Sequence, residues 1–280
     1  MMQGILLVDK EAGMTSRKVD NLLQKRFLTK KVGHLGTLDP FATGLLIVAV
    51  GKATKCLPFL DSSSKTYEAE LLLGSKTSTG DLEGDEILRK DPRIHEKQEI
   101  EETLSSFLGE STQIPPMSSA IKVDGVALYK LAHKGQEIER KPRKIVISSI
   151  RLLSQEGPRI RFEAEVSSGT YLRTLGEDIA ERLGEVGHLV SLRRTKIGSV
   201  DVRKAKRIAE VSEGDLLSPL PFITLPKIEA TEKQSEAVKN GKAMILDSHE
   251  SEVCLFFQEE ALAVYAKGED GLYRSKRGLF

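Results

Sequence analysis

Six consecutive apolar residues, Leu45–Val50, are short and rich in β-branched side chains, which fits a buried strand. They follow the loop KVGHLGTLDPFATG, residues 31–44, which carries His34 and Asp39 between Gly33, Gly36 and Gly44. Pro40 biases Asp39 toward extended backbone and removes one backbone donor. The glycines let other groups approach closely. A bare Asp-Pro is ordinarily a turn or a helix N-cap. Here the carboxylate stands on a stiff peptide at the mouth of a strand, which leaves a cap and a chemical role both open for Asp39.

The surrounding elements follow from periodicity. Gly4–Lys10 reads as a strand, and Thr15 or Ser16 caps a helix with Val19, Leu22, Leu23 and Phe27 on its apolar face. A short helix is expected near Ala53–Leu60. In Lys65–Gly74, Tyr67, Ala69, Leu71 and Leu73 alternate as in a half-buried strand. Residues 76–86 are polar and acidic and predict a surface loop, and Glu96–Leu108 a helix ending at Gly109. Residues 113–144 read as an insertion, opened by Pro115-Pro116 and closed by the basic run 140–144, with a short helix around 126–132. Strands at Lys144–Leu153 and Arg159–Ser167 precede a helix at about Tyr171–Leu183. Strands at Val186–Leu192 and Lys196–Val202 are expected next, with Arg193-Arg194 between them. Pro219, Pro221 and Pro226 mark a linker to a small β-rich tail with a helix at Thr231–Asn240 and strands at Val253–Gln258 and Leu262–Lys267.

Charge is informative through its distribution. The total of +1 hides nine Lys and Arg against four Asp and Glu in residues 1–60, and seven against one in 186–207. The insertion 113–144 holds seven against three, whereas 81–102 is acidic, four against nine. Such segments fit a localised phosphate-binding face or an ordinary solvated surface. Cys56 and Cys254 are far apart and form no Cys-x-x-Cys motif; with no signal-peptide pattern and no stretch of membrane-spanning length, the expectation is the cytoplasm.

Several chemistries are excluded. Gly51-Lys52 is followed by Ala53 where a P-loop needs Ser or Thr, and no Gly-x-Ser-x-Gly elbow occurs. The five histidines show no zinc-ligand spacing, so no metal is expected. Arg173 falls in the first turn of its expected helix, where the dipole disfavours a cation by roughly 0.3–1 kcal/mol. Either it reaches water, or it has an anionic partner: an RNA phosphate or a carboxylate. If that carboxylate is Asp39, the pairing keeps it ionised. Tyr67 and Tyr171 serve either as core aromatics or as a stacking surface for an unstacked base.

These motifs together resemble the tRNA pseudouridine synthase B (TruB) family. The likeness runs through GILLVDK, GHLGTLDPFATGLL, GKATK, KTYEAELLLG with Thr77, Thr79 and Asp81, QIPPMSSAIKVDGVALYKLAHKG, SSGTYLRTLGEDIAERLG and HLVSLRR, in family order over about residues 3–200. The resemblance implies a pseudouridine synthase fold: an α+β domain with a mixed, mostly antiparallel central sheet flanked by helices. It would span residues 1–220, with 113–144 as an RNA-gripping thumb and a small PUA-like domain at 227–280. It implies an isomerase acting without cofactor or metal on the T-loop uridine of tRNA, position 55, as a monomer bound to the T-arm. By the same resemblance Asp39 is the nucleophile, Tyr67 lies against the uracil and Arg173 pairs with the catalytic carboxylate. Tyr171 and Leu192 line the base pocket, His34 stabilises the flipped-out arrangement, and Lys55 lies near the site.

Departures are Glu11 where proline is usual, Phe41 for leucine, Ser118 for tyrosine and His133 for arginine; the tail is slightly acidic, eight Lys and Arg against ten Asp and Glu over 227–280. The implied reaction breaks the N-glycosidic bond, turns the base and rejoins it at C5, after the uridine leaves its stack at a cost of a few kcal/mol. An ionised Asp can add to C6 of the base or C1′ of the sugar, or act after elimination with Tyr67 as base. Alternatives to the enzyme are a non-catalytic tRNA-binding or folding factor using the same cleft, and a relative that works inside an RNA-guided complex.

Overall fold

The computed structural model describes residues 2–119, 121–123, 125–128, 131, 135–136 and 138–279. The fold is α+β, with a mostly antiparallel sheet and flanking helices, and it divides into two compact units. The first comprises Met1–Pro40, Leu45–Ser62 and Val202–Phe280, the second Phe41–Gly44 and Ser63–Asp201.

In the first unit the opening strand Gly4–Lys10 runs parallel to Lys206–Arg207, and the hairpin arm Val32–Leu35 pairs antiparallel with the end of strand Thr43–Val50, Val32 opposite Val50. The apolar run expected to be buried has at most 1% exposure from Leu45 to Val50. Helix Ser16–Arg26 is capped by Thr15, whose hydroxyl accepts from the Lys18 N–H. It packs Val19 and Leu23, with Phe27 after its end, into a core with Leu6, Val8, Leu46, Val48 and Val50. Fully burying each such side chain stabilises by about 1.5–3 kcal/mol. The short helix expected near Ala53–Leu60 is a 3-10 helix, Gly51–Phe59. Toward the C-terminus, strands Lys227–Glu229, Glu252–Phe257, Glu260–Lys267 and Tyr273–Gly278 form a separate four-stranded sheet. Its core of Val253, Leu255, Ala263, Tyr265 and Tyr273 is covered by Val238 of helix Glu232–Lys239. Tyr273–Gly278 escaped the sequence reading because its charged residues show no apolar alternation. Cys56 and Cys254 are both buried free thiols.

The sheet strands of the second unit lie in the order Gly187–Ile197, Ser64–Leu73, Arg159–Ser167, Arg143–Glu156, Gly109–Gln113, each antiparallel to its neighbour. Strand Ser64–Leu73 buries every second residue, as its alternation predicts. The two strands expected around Arg193-Arg194 are one, Gly187–Ile197; Arg194 is fully buried, and its inward arginine mimicked a break in the pattern. The start of strand Thr43–Val50 pairs here, with Gly44 opposite Arg194. A Cβ on Gly44, at φ +103°, would stand 2.2 Å from the Arg194 carbonyl oxygen, so a side chain is excluded there. Helix Leu172–Arg182 buries Leu172, Leu175 and Ile179, with Gly176 pressed against Leu189. Residues 76–86 are more ordered than the expected loop: Ser75–Thr77 and Glu86–Arg89 form a hairpin, and Asp81 is buried. In the insertion, Lys122–Val123 and Val126–Ala127 pair as a small hairpin, so the start of the helix expected at 126–132 is a strand. Residues 129, 130 and 132 of that helix, and His133, lie outside the described residues.

Candidate active site

In the first unit, Asp39 is half-buried on the loop between Val32–Leu35 and the following strand. The residues on either side of it are clamped. Before it, the buried Ser16 hydroxyl accepts from the Leu38 N–H (2.9 Å) and donates to the Leu38 carbonyl (3.1 Å). After it, the Pro40 carbonyl accepts from the Gly13 N–H (2.9 Å) and from the Lys10 ammonium (3.2 Å). Lys10 is 1% exposed and also donates to the carbonyls of Met14 (2.7 Å) and Glu11 (3.0 Å). A buried ammonium that satisfies three carbonyls is a rigid tether. The Asp39 backbone is thus preorganised by residues on the opening strand and the start of the first helix.

His34 lies on the arm Val32–Leu35, with Nδ1 2.9 Å from Oδ2 of buried Asp20 and Nε2 3.3 Å from the Thr37 hydroxyl. These contacts fix its ring orientation. Lys55 sits half-buried on the 3-10 helix Gly51–Phe59.

In the second unit, Tyr67 (7% exposed) and Leu192 (5%) lie on paired strands. Arg194 stands opposite Tyr67 and Leu192 opposite Ala69, so Leu192 is diagonal to Tyr67 on the same buried face, within reach of an aromatic ring. Lys65, two residues before Tyr67, donates to the Ser168 hydroxyl at 3.1 Å. Burial, with Arg194 nearby, pushes its pKa down from 10.5 to about 8.

Tyr171 is the N-cap residue of helix Leu172–Arg182, and Arg173 is in its first turn, 4% exposed. The anionic partner required by that position includes a carboxylate: Nη1 of Arg173 is 3.6 Å from Oδ2 of Asp81. Nη1 also donates to the Thr79 carbonyl (3.0 Å) and the Ser118 hydroxyl, and Nη2 to the Ser118 carbonyl (3.3 Å). Asp81 is itself held by the Thr79 hydroxyl (2.6 Å) and the Glu83 N–H (3.0 Å). Sequence reasoning placed Asp81 in a family motif without a role, because an acidic, turn-rich stretch looks solvated. It gave Ser16 only a capping role; its pairing with Leu38, 22 residues away, has no local signal. Lys10 ends the motif GILLVDK, which was its available signal.

Residues 24–172 match the model of the TruB family pseudouridylate synthase (N terminal domain). A protein of Syntrophotalea carbinolica called tRNA pseudouridine synthase B is 45% identical over 218 residues, 78% of this chain and 70% of that one. One of the same name from Streptococcus sanguinis is 39% identical over 284 residues, 96% and 97% of the two chains. Among solved structures, one described as a Cbf5-Nop10-Gar1 complex superposes with a TM-score of 0.74 at 23% identity, covering 99% of this chain and 85% of that one, a likeness of fold. With the matched model spanning more than half its length, the chain belongs to the TruB family of pseudouridylate synthases.

Proposed function

We propose that this protein isomerises the T-loop uridine of tRNA to pseudouridine, with Asp39 as nucleophile. The observation that carries the reading is the clamped Asp39 peptide, Leu38 held by Ser16 and Pro40 by Gly13 and Lys10, within the family's motif. A nucleophile must be held to a fraction of an ångström, and a peptide tethered on both sides supplies that. Tyr67 and Arg173 act as its catalytic partners, and His34, Lys55, Tyr171 and Leu192 bind the flipped nucleotide. In the reaction the C1′–N1 bond breaks and a C1′–C5 bond forms; C5 loses its proton and N1 gains one, so no redox partner is needed. The basic insertion grips the T-arm, and residues 227–280, with their own sheet and core, act as a PUA-like domain. Its slight acidity leaves most phosphate contacts to residues 1–220, and the protein works as a cytoplasmic monomer.

The test is site mapping. Purified protein is incubated with unmodified tRNA transcript, and pseudouridine is located by carbodiimide adduct and primer extension. A single stop at the T-loop uridine is expected. Modification elsewhere, or none, contradicts the assignment.

A further inference from the structure

The insertion is rooted on the Arg173 helix. Its flanking strands pair Gln113 with Arg143, so the two ends of the insertion leave from opposite one another. One step further out, Arg140 Nη1 donates to the Pro115 carbonyl at 3.1 Å, a second rung across the stem. From this stem two side chains reach the start of helix Leu172–Arg182. Gln113, 5% exposed, clamps the Tyr171 backbone in both directions: its Oε1 accepts from the Tyr171 N–H (2.8 Å) and its Nε2 donates to the Tyr171 carbonyl (3.1 Å). Tyr171 is an N-cap that makes no side-chain capping bond. Part of what fixes that end of the helix is therefore supplied 58 residues upstream in the chain. Ser118 then holds the Arg173 guanidinium twice, by its hydroxyl and its carbonyl.

We propose that Gln113 and Ser118 are positioning residues for the reaction, coupling the basic insertion to Tyr171 and Arg173, so that RNA gripped by the insertion sets the first turn of the Arg173 helix. The inference rests on the reading of Arg173 as a catalytic residue given above. A hydrogen-bonded stem places grip and catalysis on one mechanical element. Ser118 is suited to this because its short side chain brings backbone and hydroxyl onto the guanidinium together. A tyrosine at that position has no hydroxyl near its own carbonyl with which to do so.

The experiment uses the full chain and a T-arm transcript, and measures the single-turnover rate, the RNA dissociation constant and the melting temperature for each variant. Ser118→Ala and Gln113→Ala are expected to slow the single-turnover step by about tenfold, the loss of one or two buried hydrogen bonds, with RNA affinity changed less than about twofold. Ser118→Thr, which keeps the hydroxyl, recovers most of the rate. In an Arg173→Lys background, Ser118→Ala adds no further slowing, because its effect passes through the guanidinium. Native single-turnover rates for Ser118→Ala overturn the proposal. So does a slowing that multiplies independently onto Arg173→Lys, or one that only follows a loss of RNA affinity. If Gln113→Ala does not fold, the half-buried Ser118 decides. If Arg173→Lys is slow while Ser118→Ala is native, only the positioning role fails. If Arg173→Lys itself runs at the native rate, the catalytic reading of Arg173 fails and this proposal with it.

Discussion

Arg173 and Asp81 meet as a buried ion pair, with Nη1 3.6 Å from Oδ2 and both side chains 4% exposed. The pair joins the first turn of a helix to a loop some ninety residues earlier, and it offsets the cost of placing a cation at the positive end of the helix dipole. Thr79 supplies both a carbonyl to Arg173 and a hydroxyl to Asp81, so the three groups form one network.

Removing the negative charge from one side leaves the buried guanidinium short of one of its anionic contacts, at a cost of about 1–3 kcal/mol. Asp81→Asn is therefore expected to lower the melting temperature and to slow the reaction more than it weakens RNA binding. Thermal melts and single-turnover rates on the same preparation check this. A variant with native melting and native rate would mean that the pair contributes nothing.

Ser16→Ala removes both hydrogen bonds to Leu38, whose carbonyl lies in the peptide entering Asp39, and strands the buried Leu38 N–H. The expected loss is about 1–3 kcal/mol of stability. A fall in single-turnover rate should accompany it, with the RNA dissociation constant near native. Equal losses in rate and affinity would contradict the view that Ser16 acts by aiming Asp39.

Lys65 gives a pH signature. Its pKa is about 8 in the fold and 10.5 as an ordinary lysine. The unfolded chain therefore holds more protons between those values, and stability rises with pH across that window. Below about pH 8 the amine is charged in both states and bears its full burial cost. Lys65→Met removes that cost, so the variant should melt above the native protein at pH 7, by up to about 3 kcal/mol of stability. The advantage should shrink toward pH 10. Melting curves at several pH values test this, and a difference independent of pH would show that burial does not depress Lys65.

Much of the architecture was legible because it rests on periodicity. The alternation around Tyr67 and the apolar run Leu45–Val50 appear as buried strands, and Val19, Leu23 and Phe27 meet the core as their spacing requires, whereas Leu22, expected beside them, is exposed. Polar residues that point inward were not legible. Arg194 sits fully buried in the middle of a strand read as two, and Asp81 lies buried in a stretch whose composition signals solvent. Asp81 pairs with Arg173, some ninety residues away, a contact that no local pattern records. The same holds for Gln113 and for the Ser16–Leu38 contact. Arg173 is the intermediate case: its misfit with the helix dipole announced that an anion was needed, and the structure supplies Asp81 as one.

The central claim is that the clamped Asp39 carboxylate performs the chemistry. Tritium release from C5-labelled uridine in a T-arm transcript measures it directly, because the C5 proton leaves only if the base is rejoined through that carbon. The native protein should release the label, while Asp39→Asn should bind the transcript with near-native affinity and release none above background. Undiminished release by Asp39→Asn would contradict the account.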